Sequence, residues 1–231
     1  MPAELTIGVD LPSALLWDFD GTLVETEHHW HTAESRLLAE WGLDLAPEQK
    51  RQLTGLNLST AIATMMSWAG VTDADPADAG RRLTSYMLDE LRSHSIIFRP
   101  GARTLLESAF EAGIPCALVS ASHEDILATV VDLLPAGMFA TIVAGNHITH
   151  GKPHPEPYLT AASRLGYAPR DCLALEDSRP GLESASGAGV PTVGIPFEQE
   201  LDGGPLRRLL PTLRDVGLIE LGVVWRELRD A

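Results

Sequence analysis

The sequence predicts an α/β fold: a doubly wound parallel sheet with an all-helical segment inserted after the first strand. Three observations lead there. Five short runs, at 14–19, 115–120, 139–144, 172–175 and 191–195, are continuously apolar rather than alternating, the pattern of strands buried on both faces. Helical patterns at 102–112, 124–134, 155–165 and 181–188 separate the later runs, which implies right-handed crossovers. Between about 24 and 97 the rhythm breaks, and only helical patterns occur.

The first strand, 14–19, opens the sheet and ends in Asp18-Phe19-Asp20-Gly21-Thr22. The insert follows, with helices expected at 27–40, 47–53, 59–68 and 77–93. Linkers near 24–26 and 96–100 would join it to the sheet. The domain division is therefore 1–23 plus 98–231 for the core and 24–97 for a helical cap. The second strand ends in Ser120, and Lys152 follows the third in Gly151-Lys152-Pro153. The fourth ends in Glu176-Asp177-Ser178. The tail after Pro196 is interrupted by Gly and Pro, with a short apolar stretch at 217–228 and no assigned role.

The chain has 231 residues and a formal net charge of -15. That length suits one large α/β domain, or one domain with a smaller insert. The charge opposes a nucleic-acid partner or an anionic membrane surface, since both select basic patches. A small phosphate ester stays compatible, because a local cation outweighs a distant field. No apolar run approaches the roughly 20 residues of a membrane helix, and the N-terminus lacks the pattern of a signal peptide. Cys116 and Cys172 sit in apolar runs and read as buried thiols, which suits a reducing, cytoplasmic setting. Nothing in the sequence reads out an oligomeric state.

Ligands of open parallel sheets bind outside the carboxyl ends of the strands. Four of the five expected strands deliver a charged or hydroxyl residue to that edge, directly or in the next loop. Singly, Asp20-Gly21-Thr22 could be a turn, and Glu176-Asp177-Ser178 or Ser120 a helix cap; Ser122 suits a cap equally. The coincidence is what argues for a site. If the first strand persists through Asp20, the carboxylates of Asp18 and Asp20 share a face. With Asp177 they form an all-oxygen site suited to Mg²⁺. A carboxylate can attack phosphorus, and a compact cation such as Lys152 can neutralise the charge spreading over the transferring oxygens. Lys50, the other of the two lysines, falls on an expected helix surface.

At this point the sequence resembles the haloacid dehalogenase superfamily, in the branch with a helical cap after the first strand. The matching residues are Asp18-Phe19-Asp20-Gly21-Thr22-Leu23, Val119-Ser120, Gly151-Lys152-Pro153 through Tyr158, and Glu176-Asp177-Ser178 with Gly181 and Gly189. The resemblance implies a Rossmann-like core and a phosphatase acting on a small phosphorylated metabolite, such as a sugar or polyol phosphate. It implies Asp18 as nucleophile and Asp20 as general acid/base. Mg²⁺ would be held by Asp18, the main-chain carbonyl of Asp20, and Asp177. Ser120, Ala121 and Lys152 would bind the phosphoryl group, with Glu176 acting through water. Glu25-Thr26-Glu27-His28-His29-Trp30, followed by Ala33-Glu34, resembles the start of the cap in sugar- and polyol-phosphate phosphatases, with His28-His29 in place of Pro-Leu.

Sister activities separate on single residues. Asp20 is present, whereas the haloacid dehalogenases lack it. No lysine follows Gly55, as a phosphonate hydrolase would require. A β-phosphoglucomutase, the main alternative, carries a cap arginine and a linker histidine where this chain has Leu58 and Trp30. A catalytically inactive binding module is a further alternative, opposed by the intact Asp18 and Asp20. His28, Trp30 and Asn57 are the cap residues expected to read the leaving group. The His28, His29 and His31 cluster has no third ligand at a zinc spacing along the chain, and so reads as solvated or cavity-lining.

Overall fold

The computed structural model describes residues 10–230. Residues 1–9, which the sequence reading places in the core and reads as free of a signal peptide, and residue 231 lie outside the described residues.

Six parallel strands form one sheet in the order β3-β2-β1-β4-β5-β6. They are β1 Ala14–Trp17, β2 Cys116–Val119, β3 Thr141–Val143, β4 Cys172–Glu176, β5 Thr192–Gly194 and β6 Arg207–Leu209. This is the doubly wound order, with β1 central and the direction of winding reversing beside it. Register places Trp17 beside Leu118 on one side and Leu175 on the other. The next residues along these strands therefore emerge together at one edge.

The strand side chains alternate between two apolar layers. Leu15 and Trp17 join one cluster with Leu105, Leu106, Ile126, Leu127, Leu221 and Trp225. These come from α5 Ala102–Glu111, α6 Glu124–Val131 and α9 Leu218–Arg229. Ala14 and Leu16 face the other cluster, with Tyr158, Ala161, Ala162 and Ala185 from α7 Glu156–Leu165 and α8 Arg179–Gly187. Helices thus cover both faces, which explains the unbroken apolar runs. Cys116 and Cys172 are buried free thiols. Among the described residues no helix is long and apolar enough to cross a membrane.

The insert holds four helices: α1 Glu27–Glu40, α2 Pro47–Leu53, α3 Leu58–Ala69 and α4 Pro76–Ser93. α4 packs on α1 and α3, and also reaches α6 of the core. Asn57 and Asp75 cap α3 and α4 by accepting from Thr60 N–H and Ala77 N–H. The two linkers run antiparallel: Glu25 N–H donates to Ile97 O at 2.8 Å and Arg99 N–H to Leu23 O at 2.9 Å.

Two sequence expectations need correction. The tail after Pro196 contributes an edge strand, β6, and α9, which packs under the sheet. The first strand ends at Trp17 rather than continuing through Asp20. Gly21, at φ +80°, turns the chain just after Asp20, and Asp18 and Asp20 reach a common cavity from the loop that follows β1 rather than from the strand itself.

Candidate active site

Asp18 follows β1, Ser120 follows β2, and Asp177 follows β4, so the register above brings all three to the carboxyl edge of the sheet. Lys152 reaches the same place from the loop before α7. Its Nζ donates to Asp18 Oδ1 at 2.6 Å, Glu176 Oε1 at 2.6 Å and Val119 O at 3.1 Å. Burial opposes the charged ammonium, but Asp18 and Glu176 outweigh it and hold the lysine protonated well above its ordinary range.

The carboxylates are crowded. One oxygen each of Asp18, Glu176 and Asp177 lies within 4.8 Å of the others. Burial, then Glu176, raises Asp18 to about 7, against the opposing pull of Lys152. Burial and Asp18 also push Asp177 well above the carboxylate range. Asp18 Oδ2 is buried and has no hydrogen-bond partner. A Cβ on Gly21 would stand 2.0 Å from Asp177 Oδ2, so the glycine keeps that space open. An orphaned buried oxygen among mutually repelling acids is what a hard divalent cation would relieve, and the donors are all oxygen. The residues present therefore fit Mg²⁺.

Glu176 is less available as a direct ligand. Besides Lys152 it accepts from Tyr158 Oη at 2.7 Å, Ser178 Oγ at 3.0 Å and Asp177 N–H at 3.2 Å, and it is fully buried. Gly181 makes room for it: a Cβ there would lie 1.9 Å from Glu176 Oε1. Thr22 Oγ1 lies 3.4 Å from Asp177 Oδ1.

Asp20 lines the same cavity but has a different set of partners. Its Oδ1 accepts from Thr26 Oγ1 at 2.6 Å and Trp30 Nε1 at 2.9 Å. Its Oδ2 accepts from Ser122 Oγ at 2.8 Å and Ser120 Oγ at 3.3 Å. The insert thus touches the core's second aspartate through the linker and the first helix. Ser122 serves this contact rather than capping α6, whose N-cap position is His123.

A cavity of about 70 Å³ lies between this edge and the insert. Asp18, Asp20, Ala121, Lys152 and Asp177 line it, as do Trp30, Glu27 and Glu34. Of the three cap candidates, Trp30 is in place. Asn57 is not: its Oδ1 caps α3, and the residue lines a neighbouring groove with Gly151. His28 is exposed and stacks on His29 at 3.7 Å between ring centroids. His29 turns into the insert, its Nδ1 3.9 Å from Glu90 Oε2, and that oxygen is 3.7 Å from His94 Nδ1, a neighbour that local spacing does not reveal. Sequence reasoning placed Tyr158, Thr26, Glu27 and Glu34 in matching motifs without giving them a chemical role, and read Ser122 as a helix cap.

Residues 15–195 match the family described as haloacid dehalogenase-like hydrolase. The chain is 35% identical over 194 residues to the protein CbbY of Rhodobacter capsulatus, covering 80% of this chain and 86% of that protein. It is 27% identical to hexitol phosphatase B of Escherichia coli, over 79% of this chain and 83% of the relative. A mutant CbbY of Rhodobacter sphaeroides in complex with xylulose-(1,5)bisphosphate superimposes with a TM-score of 0.81 at 29% identity, covering 91% of this chain and 99% of that one.

Proposed function

The chain belongs to the haloacid dehalogenase-like hydrolases and is a phosphatase of that family, and we propose that it hydrolyses a small sugar or polyol phosphate through an aspartyl-phosphate on Asp18, with Mg²⁺ as cofactor. One observation carries this reading. A buried lysine sits 2.6 Å from both Asp18 and Glu176, with Asp177 alongside, at the carboxyl edge of a parallel sheet.

In this reading Asp18 attacks phosphorus and the ester P–O bond breaks. The departing alkoxide takes a proton from Asp20. Asp20 then removes a proton from water, which attacks the aspartyl-phosphate and releases inorganic phosphate. Lys152 fixes Asp18 through Oδ1 and offsets the negative charge gathering on the transferring oxygens. Glu176 and Tyr158 hold Lys152 in place, and Ser120 with the Ala121 backbone faces the phosphoryl group. Asp18, Asp177 and the main-chain carbonyl of Asp20 would hold Mg²⁺, which supplies charge neutralisation at those oxygens.

We assign residues 24–97 as a cap over a core of 1–23 and 98–231. The small cavity requires the cap to swing on its paired linkers to admit substrate, and closure excludes water. The contacts of Thr26 and Trp30 with Asp20 couple that motion to the acid/base.

Phosphate release from p-nitrophenyl phosphate, with and without Mg²⁺, tests the proposal. Asp18→Asn should lower turnover by about 1,000-fold or more with its circular dichroism spectrum unchanged. A folded Asp18→Asn that keeps turnover within about tenfold of the parent would sink the covalent mechanism.

A further inference from the structure

His29 lies in the first turn of α1, whose N-cap is the linker residue Thr26. It is 2% exposed, and its Nε2 is buried without a hydrogen-bond partner. Its Nδ1 stands 3.9 Å from Glu90 Oε2, beyond hydrogen-bond reach. Buried polar side chains are ordinarily bonded, so a histidine this enclosed and this poorly partnered calls for a reason. Along the chain the histidines of α1 have no further ligand at a metal spacing. The fold supplies two from the far end of the insert.

Glu90 lies in the last turn of α4, and His94 is the C-cap residue of that helix, so the two stand at i and i+4. His94 Nδ1 is 3.7 Å from the same Glu90 Oε2 and 3.0 Å from Glu90 O. One ring nitrogen of each histidine and one oxygen of Glu90 lie within 4.8 Å of one another. Ligand atoms held at about 2.0–2.1 Å around a tetrahedral Zn²⁺ are about 3.4 Å apart. The 3.9 and 3.7 Å separations are too long for hydrogen bonds and only slightly longer than that edge. Arg36 approaches the other oxygen, 3.9 Å from Glu90 Oε1, and also lies 3.4 Å from Asp89 Oδ2. Oε2 is thus left facing the two imidazoles. Burial, then His28 and His94, lowers His29 below its ordinary value against the pull of Glu90, and a neutral imidazole is the form that binds metal.

We infer that His29, Glu90 and His94 form a site for a transition-metal dication of the Zn²⁺ class, which fastens the first turn of α1 to the end of α4. The site is separate from the carboxylates at the sheet edge and does not rest on the phosphatase reading. Two imidazoles and one carboxylate suit Zn²⁺, whereas an all-oxygen set suits Mg²⁺. A fourth position is left to water. Thr26 precedes α1 and Ile96 follows His94, so the ligands stand where the insert joins its paired linkers. A metal there ties together chain segments far apart in sequence, which restricts the unfolded chain and stabilises the fold.

The test titrates Zn²⁺ into the full chain against a chromophoric chelator, with Mg²⁺ in excess and Co²⁺ as a spectroscopic substitute. Three controls, Asp177→Asn, His31→Gln and His154→Ala, each disrupt another cluster of acids or histidines. The parent and all three controls should hold one Zn²⁺ with a Kd of about 10 µM or tighter. Each should melt higher with the metal bound and give the visible Co²⁺ bands of a nitrogen-ligated site. His94 is exposed, so His94→Ala should fold as the parent does. It should weaken Zn²⁺ by about 100-fold or more, beyond what loss of an outer partner costs. Glu90→Gln should weaken it by about tenfold or more. A parent that holds no Zn²⁺ this tightly overturns the site. So does a His94→Ala or Glu90→Gln protein that binds as tightly as the parent, or a loss of binding that follows one of the controls instead.

Discussion

Glu34→Gln should stabilise the protein, and the gain should grow with pH. The ordinary glutamate value is 4.5, and in the fold burial, then Glu27, raises Glu34 to about 8 against the opposing pull of Lys50. Raising the folded-state value favours the protonated form. The stability that this protonation preserves is complete below 4.5, erodes as pH climbs, and is gone above about 8, where the folded carboxyl also ionises. Glutamine cannot ionise, so the variant escapes the loss. At pH 7 the unfolded glutamate is 2.5 units past its 4.5, which at about 1.36 kcal/mol per unit is a penalty of roughly 3 kcal/mol. At pH 5 it is under about 1 kcal/mol. For a chain of this length each kcal/mol moves Tm by roughly 2–4 °C. Differential scanning calorimetry should then show the variant melting about 6–12 °C above the parent at pH 7 and within about 4 °C at pH 5. A variant that melts lower at pH 7, or by the same offset at both values, would mean that Glu34 is not held as a buried acid.

Mg²⁺ at 100 times its Kd should raise the stability of the parent by about 2.7 kcal/mol, read as a thermal shift that Asp177→Asn largely removes; a full shift in that variant would remove Asp177 from the proposed ligand set. Gly181→Ala should cut kcat by at least about tenfold, because the new Cβ stands 1.9 Å from Glu176 Oε1 and must displace the carboxylate that holds Lys152; activity assays alongside a melting curve separate this from unfolding. Trp30→Phe removes one of the donors to Asp20 while keeping the ring. It should change kcat several-fold with KM for p-nitrophenyl phosphate nearly constant and a stability loss of about 1 kcal/mol; an unaltered kcat would mean that the contact does not govern the acid/base.

The sheet was legible because burial on both faces writes itself as uninterrupted apolar runs, and the polar residues that end those runs needed only the fold's register to meet. That is why Asp18, Ser120 and Asp177 could be placed before any coordinates. The edge strand β6 was not legible for the opposite reason. Arg207 and Arg208 give it no apolar run, and charge on an edge strand is how a sheet avoids pairing with another. The first strand ends at Trp17, before the expected run to Phe19, so Asp18 and Asp20 share the cavity from the loop after it. Asn57 was assigned to substrate because it lies in the insert; its place one residue before α3 was the better signal, and the structure uses it as a cap.

The insert hides its chemistry more thoroughly, since a helix repeats every 3.6 residues and the sequence alone does not say which stripe meets a cavity. One signal was nevertheless available. Glu27, Trp30, Glu34 and Leu38 follow the spacing of a single face, and Leu38 is fully buried. Acids at two positions of a stripe that ends in a buried leucine are either a folding fault or a binding surface, because an uncompensated buried carboxyl is destabilising. Tyr158 offers the same contrast: its ring belongs to the apolar layer with Ala161 and Ala162, yet its hydroxyl reaches Glu176. In both cases an ionisable or polar group interrupts an otherwise apolar face at a position that the lattice of buried neighbours cannot spare. Such interruptions, more than the motifs at the strand ends, are where this chain departs from what its fold alone requires.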